Sequence, residues 1–314
     1  MNRLGLLVAV PLITVVLGFA DIVMAKPLVM VSVEPLALVV REICADDCEV
    51  VSLVPRGVSE HIWQPGPKDV VKAKSAKASI GIGLEFDDRW FKKIDPIPSS
   101  MLWLGNLLNP MAWWSDDMTG TSHKDPVGTK DRGHDHDHDH DHDHDHMRQL
   151  KDPHVWTDAG RMSLASTLIG AHLAKIFPGS AKGLTDRGQA LSQRLLQLQL
   201  DVDGRRKSWR TRPVVMFHDV AGYFARRFNL PVLSVSAGNS GHELSAHMIA
   251  DVSRRFRNVS VAAILVERED GAAKSLAREL KTKIKVVDFS ASRNYSKWDE
   301  WYLHIVTSWE DVLR

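Results

Sequence analysis

The chain has 314 residues, with 40 Lys and Arg against 39 Asp and Glu and a formal net charge of +1. That balance leaves no electrostatic case for binding nucleic acid or a membrane surface, and no Gly-x-x-x-x-Gly-Lys phosphate loop is present. The length suits two domains, each able to bury a core of its own.

In chain order, Met1-Asn2-Arg3 carries one positive charge, Leu4 to Ala20 is uncharged, and Val23-Met24-Ala25 offers a cleavage site. This is the layout of a secretory signal over 1–25, with cleavage after Ala25 or, alternatively, after Ala20. The uncharged stretch falls slightly short of the roughly 20 residues that span a bilayer. No cysteine stands at either cleavage point to take a lipid. A soluble, periplasmic, monomeric protein is expected. Export would place Cys44 and Cys48 in an oxidising compartment, where their spacing favours a local disulfide.

Short β-branched runs at Leu28 to Val33, Val50 to Val54, Ala78 to Ile82 and Met101 to Leu104 alternate with helix-compatible sequence. A second set follows at Val214 to Phe217, Val232 to Val235, Val259 to Val266 and Ile284 to Val287, with a helical stretch at Gly271 to Lys281. The fold class is therefore α/β, two domains with mostly parallel sheets. Between the sets, Met162, Ala165, Ile169, Leu173 and Ile176 form an apolar stripe behind a cap at Asp158. Pro178-Gly179 breaks that helix, and Leu184, Leu191, Leu195, Leu198 and Val202 begin another, read as Lys182 to Ser208. The expected boundaries are 26–180 for the first domain, 181–208 for a connecting helix and 209–314 for the second domain.

Residues 115–150 are polar and hold a strict alternation of His134, His136, His138, His140, His142, His144 and His146 with Asp. Such a segment cannot bury apolar surface and is expected to be a disordered excursion from the first domain. Imidazole suits zinc, copper and nickel, and the interleaved carboxylates attract cations, so the run reads as a set of weak, exchanging metal sites.

A tight site needs ligands on rigid backbone, and α/β folds present ligands at the carboxyl ends of strands. His61 follows the second run and the turn Pro55-Arg56-Gly57, His218 ends the run at Phe217, Asp288 ends the run at Val287, and His154 precedes the mid-chain helix. Three neutral nitrogens and a carboxylate suit four-coordinate zinc. His242 and His247 read as surface or supporting residues, and His172 and His304 as packed or solvated ones. Trp113 and Trp114 fit a loop or a protein contact.

At these positions the sequence resembles the zinc- and manganese-specific solute-binding proteins of ABC transporters, the ZnuA-like group. Leu53-Val54-Pro55-Arg56-Gly57 through His61, with Pro65, Pro67 and Asp69, is similar to the first ligand loop of that family. Ile82-Gly83-Leu84-Glu85 is similar to the segment after its third strand. Asp152-Pro153-His154-Val155-Trp156 resembles its most recognisable motif, and Phe217-His218-Asp219 with Gly222-Tyr223-Phe224 its third ligand segment. The resemblance implies that His61, His154 and His218 bind Zn²⁺ in a cleft between the domains, and that an inner-membrane ABC permease receives the metal. Manganese members usually carry a carboxylate where this chain has His218. The fourth ligand stays open. Family members show Asp-Pro-Leu-Gly near Asp288, this chain reads Asp288-Phe289-Ser290-Ala291, and Glu60, Glu267 or a water are alternatives.

The reading is thus a binding protein and not an enzyme. A zinc hydrolase is the rival, but no His-Glu-x-x-His motif is present. A metal buffer or nickel chaperone built on the His-Asp run is another, which would not need two α/β domains.

Overall fold

A computed structural model describes residues 25–94, 100–112, 151–235 and 246–314, the side chains of 246–248 excepted. Residues 1–24 of the candidate signal, the His-Asp run from His134 to His146, Trp113, Trp114, His242 and the side chain of His247 lie outside the described residues.

The first lobe runs β1 (Leu28–Val31), α1 (Glu34–Cys44), β2 (Glu49–Ser52), α2 (Pro67–Lys74), β3 (Ala78–Gly81), α3 (Asp88–Phe91) and β4 (Met101–Trp103). Its four strands are parallel in the order β2-β1-β3-β4. Leu36, Ala37, Val39, Val40 and Ile43 of α1 are wholly buried, so this helix is apolar nearly all round and packs inside the lobe. Cys44 closes α1 and bonds Cys48 just ahead of β2, with Cα atoms 5.3 Å apart. That separation is ordinary for a disulfide.

Two long helices follow, α4 (Ala159–Ile176) and α5 (Ala181–Arg205). Asp158 caps α4 by accepting the Arg161 N–H at 2.7 Å, as its position in the sequence predicts. Met162, Ala165, Ile169 and Leu173 are buried along the predicted stripe. The two helices meet where Gly170 faces Gly188. A Cβ on Gly170 would lie 2.8 Å from the Leu184 carbonyl oxygen and 3.1 Å from the Gly188 Cα, so only glycine permits this approach.

The second lobe contains β5 (Val214–Met216), α6 (Gly222–Arg227), β6 (Val232–Ser234), α7 (Ala246–Phe256), β7 (Ile264–Val266), α8 (Gly271–Glu279) and β8 (Ile284–Val286). Its sheet repeats the first, parallel in the order β6-β5-β7-β8. The apolar run expected as a strand from Val259 becomes one only at Ile264. Before that, the Val261 N–H bonds to the Val259 carbonyl and the Ala262 N–H to Pro213, outside the strand ladder. Val261 and Ala262 are buried without regular pairing, and Val259 is only partly buried, which is why hydrophobicity alone overstates the strand.

Helix α9 (Trp298–Leu313) crosses back to α1 and α5. Trp298, Trp301, Tyr302 and Trp309 are wholly buried on it. The Trp298 N–H donates to Glu42 of α1 at 3.2 Å, and Arg194 of α5 pairs with both Glu42 and Asp299. One continuous core therefore joins the first lobe, the long helices and one face of the second sheet. No helix among the described residues is long and apolar enough to cross a membrane.

Candidate metal centre

Both sheets reverse direction beside their first strand, and the loops at the carboxyl ends of such strands form a crevice. The second ligand segment enters from the mid-chain, immediately ahead of α4. Phe217 and His218 leave β5, Glu267 leaves β7, and the loop after β2 carries Glu60 and His61. That loop is pinned at its start by the Leu53 and Val54 N–H groups on Val31 and Ser32. Gly57 turns it with φ of +74°, a conformation that a side chain disfavours.

Glu60, His61, His154 and His218 converge, each offering one ligand atom within 4.8 Å of the others. His61 Nε2 stands 2.7 Å from His218 Nε2, and His218 Nε2 stands 3.2 Å from His154 Nε2. Nitrogens bound tetrahedrally to zinc at 2.0–2.1 Å would be about 3.3 Å apart. The three rings are thus close to holding one ion, with His61 and His218 needing to part slightly. Glu60 Oε1 lies 3.7 Å from His61 Nε2 and 4.0 Å from His218 Nε2, and supplies the one anionic oxygen.

Each imidazole has its own support. His154 is wholly buried, and its Nδ1 lies 2.8 Å from Asp152 Oδ1, which also accepts the His154 backbone N–H at 2.9 Å. A proton shared with that carboxylate sits on Nδ1, the tautomer that presents the Nε2 lone pair to a metal. The Asp152 carbonyl in turn accepts the Tyr223 hydroxyl at 2.7 Å. His218 turns its Nδ1 toward Glu267 at 3.9 Å. Burial, reinforced by His218 and His154, holds the His61 imidazole far below the usual histidine range. Burial also pulls His218 down, but Glu267, Glu60 and Asp219 outweigh it and the net shift is upward. Asp219, next in sequence, is pushed up to about 6 by burial.

Asp288 does not join the four. Its carboxylate accepts the Ser292 N–H at 2.7 Å and the Arg293 N–H at 2.9 Å, so it shapes the loop after β8. The departure from the family pattern at Phe289-Ser290-Ala291 marks the same place. His304 Nε2 lies 3.4 Å from the Asp288 N–H, and His172 Nε2 2.9 Å from the Ser100 carbonyl, so both are packed away from the centre. The segment Ile82 to Glu85 also shapes backbone. Asp87, buried and pushed up to about 6, accepts the Ile82 and Gly83 N–H groups, while Leu84 and Glu85 hold left-handed φ of 59° and 64°. The support role of Asp152 goes beyond what the sequence reading singled out. For Asp152, the signal is its place two residues before His154.

Similar proteins are found by sequence and by structure. The zinc-binding protein TroA of Treponema pallidum is 24% identical over 245 residues, covering 77% of this chain and 70% of TroA. The zinc-binding protein AdcA of Streptococcus pyogenes serotype M1 is 24% identical over 259 residues, and the chain spans about half of it, 47%. A solved structure of periplasmic zinc-binding TroA superposes with a TM-score of 0.70 at 20% identity, covering 92% of this chain and 99% of that one. Residues 29–313 match the family of the periplasmic zinc-uptake complex component A, ZnuA, and the chain belongs to that family.

Proposed function

We propose that this protein captures Zn²⁺ in the periplasm and delivers it to the permease of an ABC importer, with His61, His154, His218 and Glu60 as the metal-binding side chains. The observation that carries this reading is the convergence of three imidazole nitrogens, from both lobes and the segment between them, on one point beside a buried carboxylate. Glu60 takes the place first expected of Asp288. Three nitrogens and one oxygen suit zinc, whereas manganese prefers more oxygen ligands. A set of four protein ligands also leaves no open position for an activated water, which favours binding over hydrolysis.

Residues 1–25 are read as a cleaved export signal, after which one copy of the chain works as a soluble monomer. The run His134 to His146 collects additional zinc at weaker sites. Calorimetric titration of the intact protein and of a variant lacking 134–146 tests these assignments together. Both should show one tight zinc equivalent, and only the intact protein the weaker ones. Loss of the tightest event on deletion would transfer the principal site to the His-Asp run.

A further inference from the structure

Two of the four metal-binding side chains are neighbours in sequence, which places an unusual demand on one short segment. Residues Ser59 to Trp63 form a single helical turn, closed by the Trp63 N–H on the Ser59 carbonyl at 3.1 Å. Within a lone turn the following carbonyls lack the donors that a longer helix would supply. Here one group supplies both. Arg89 Nη2 donates to the Glu60 carbonyl at 3.2 Å and to the His61 carbonyl at 3.2 Å.

Arg89 is itself held from below. It belongs to α3, whose Trp90 and Phe91 are wholly buried, and its guanidinium lies 5.5 Å from the Trp90 ring centre. The same ring meets Trp63, the last residue of the turn, edge-on at 5.2 Å. The ligand turn is therefore fixed on one aromatic base by its end residue and by both carbonyls of its ligand-bearing residues. The start of the loop is anchored separately, by Arg56 on buried Glu34 at 2.7 Å.

We propose that Arg89, which does not reach the metal-binding point, is the positioning residue that holds the Glu60–His61 turn in a four-ligand geometry and so sets the preference for zinc over manganese. The role rests on the metal site proposed above. A turn fixed before binding loses little freedom when zinc arrives, and it keeps one carboxylate oxygen and one nitrogen close to the positions a tetrahedral ion requires. A loosened turn lets Glu60 swing and water enter, which costs zinc its prepared site while giving manganese the extra oxygen ligands it favours.

The test measures zinc and manganese dissociation constants for the wild type, Arg89→Met, Arg89→Lys and the control His154→Ala. Met keeps an unbranched side chain of similar length and removes the donors, whereas Lys keeps a donor for the carbonyls. Arg89→Met should weaken zinc about tenfold and manganese less than threefold, and Arg89→Lys should recover most of the zinc-to-manganese ratio. A ratio in Arg89→Met within twofold of wild type overturns the role, whether both affinities hold or fall together. Should Arg89→Met not fold, Arg89→Gln is read by the same ratio, expected between wild type and full loss of preference. Lack of a tight zinc site in the wild type would overturn the proposed site along with this role. A tight wild-type site that His154→Ala abolishes, with an unchanged Arg89 ratio, overturns the role of Arg89 alone.

Discussion

The two lobes carry the same four-stranded parallel sheet in the same order, yet they contribute unequally to the site. The first lobe and the segment leading into α4 supply Glu60, His61 and His154, and the second lobe supplies His218. Their cores differ too. The first sheet shares one core with the long helices and α9, whereas Val215, Leu233, Val252, Phe256, Ile264 and Leu276 form a separate core on the far face of the second sheet. The comparison teaches that the sheet determines where loops emerge, while each proposed ligand relies on a further side chain beside its loop to hold it in place. His154 has Asp152, and the Glu60–His61 turn has Arg89. His218 has Glu267, at 3.9 Å.

If support determines contribution, the best-held ligand should matter most. Replacing His154 with Ala should weaken zinc at least a hundredfold, about 2.7 kcal/mol, because a wholly buried and preoriented nitrogen is lost. His61→Ala and His218→Ala should each cost at least tenfold, about 1.4 kcal/mol. Direct titration against a competing chelator measures all three. Equal losses at His154 and His218 would remove the proposed asymmetry, and unchanged affinity in all three would remove the site.

The support itself is open to the same treatment. Asp152→Asn keeps the shape but no longer offers a carboxylate to His154 Nδ1, and replacing such an outer partner typically costs 10–100-fold in metal affinity. We expect about tenfold or more, with the melting temperature of the metal-free protein much less affected. A drop in stability with no change in zinc affinity would make Asp152 a folding residue only.

The second lobe's lighter support predicts a pH effect. A ligand imidazole must be neutral, so protons and zinc compete. Of the facing pair, His61 is held far below the ordinary range by burial and by the other two rings, whereas His218 is raised because Glu267 and Glu60 outweigh burial. Of the two rings, His218 is therefore the one whose surroundings favour the proton. As pH falls, zinc affinity should begin to drop above the ordinary histidine value of about 6.5. Glu267→Gln removes one cause of the rise, so its acid limb should move to lower pH. The variant should bind zinc a few-fold more tightly than wild type near pH 6, with little difference near pH 8. An unshifted limb would show that Glu267 does not govern His218.

Much of this was legible before any coordinates. The strand runs located both sheets because buried parallel strands are continuous apolar stretches, and Asp158 marked the start of α4. His61, His154 and His218 were legible as strand-end or helix-entry histidines, and the structure brings their Nε2 atoms together. The carboxylate was harder. Asp288 and Glu60 both follow strands, and only the fold reveals that the first spends its oxygens on Ser292 and Arg293 N–H groups. Arg89 was not legible at all, since a carbonyl clamp depends on a turn 29 residues earlier packing beside α3. The expected strand start at Val259 failed because burial and β-branching do not reveal whether a ladder partner is present.

The smallest expected effect concerns the one covalent tie, which only the first lobe has. Cys44 and Cys48 are the chain's two cysteines, and they join the end of α1 to β2, an edge strand of the first sheet paired only with β1. The corresponding edge strand β6 of the second sheet has no such tie. In the chain-entropy view a loop this short removes little freedom from the unfolded chain, so its loss should cost about 2 kcal/mol at most. Replacing both cysteines with Ser should therefore lower the melting temperature by several degrees. Zinc affinity should stay within twofold. The ligand loop begins beyond β2, where Leu53 and Val54 bond to Val31 and Ser32, and its far end rests on Arg89, so neither hold passes through the disulfide. Differential scanning calorimetry and zinc titration of the double variant separate the two quantities. A melting shift without a binding change would place the disulfide in the lobe's stability alone. A fall in zinc affinity beyond fivefold would show that the edge strand positions Glu60 and His61, and that a covalent staple belongs among the supports that set the lobes apart.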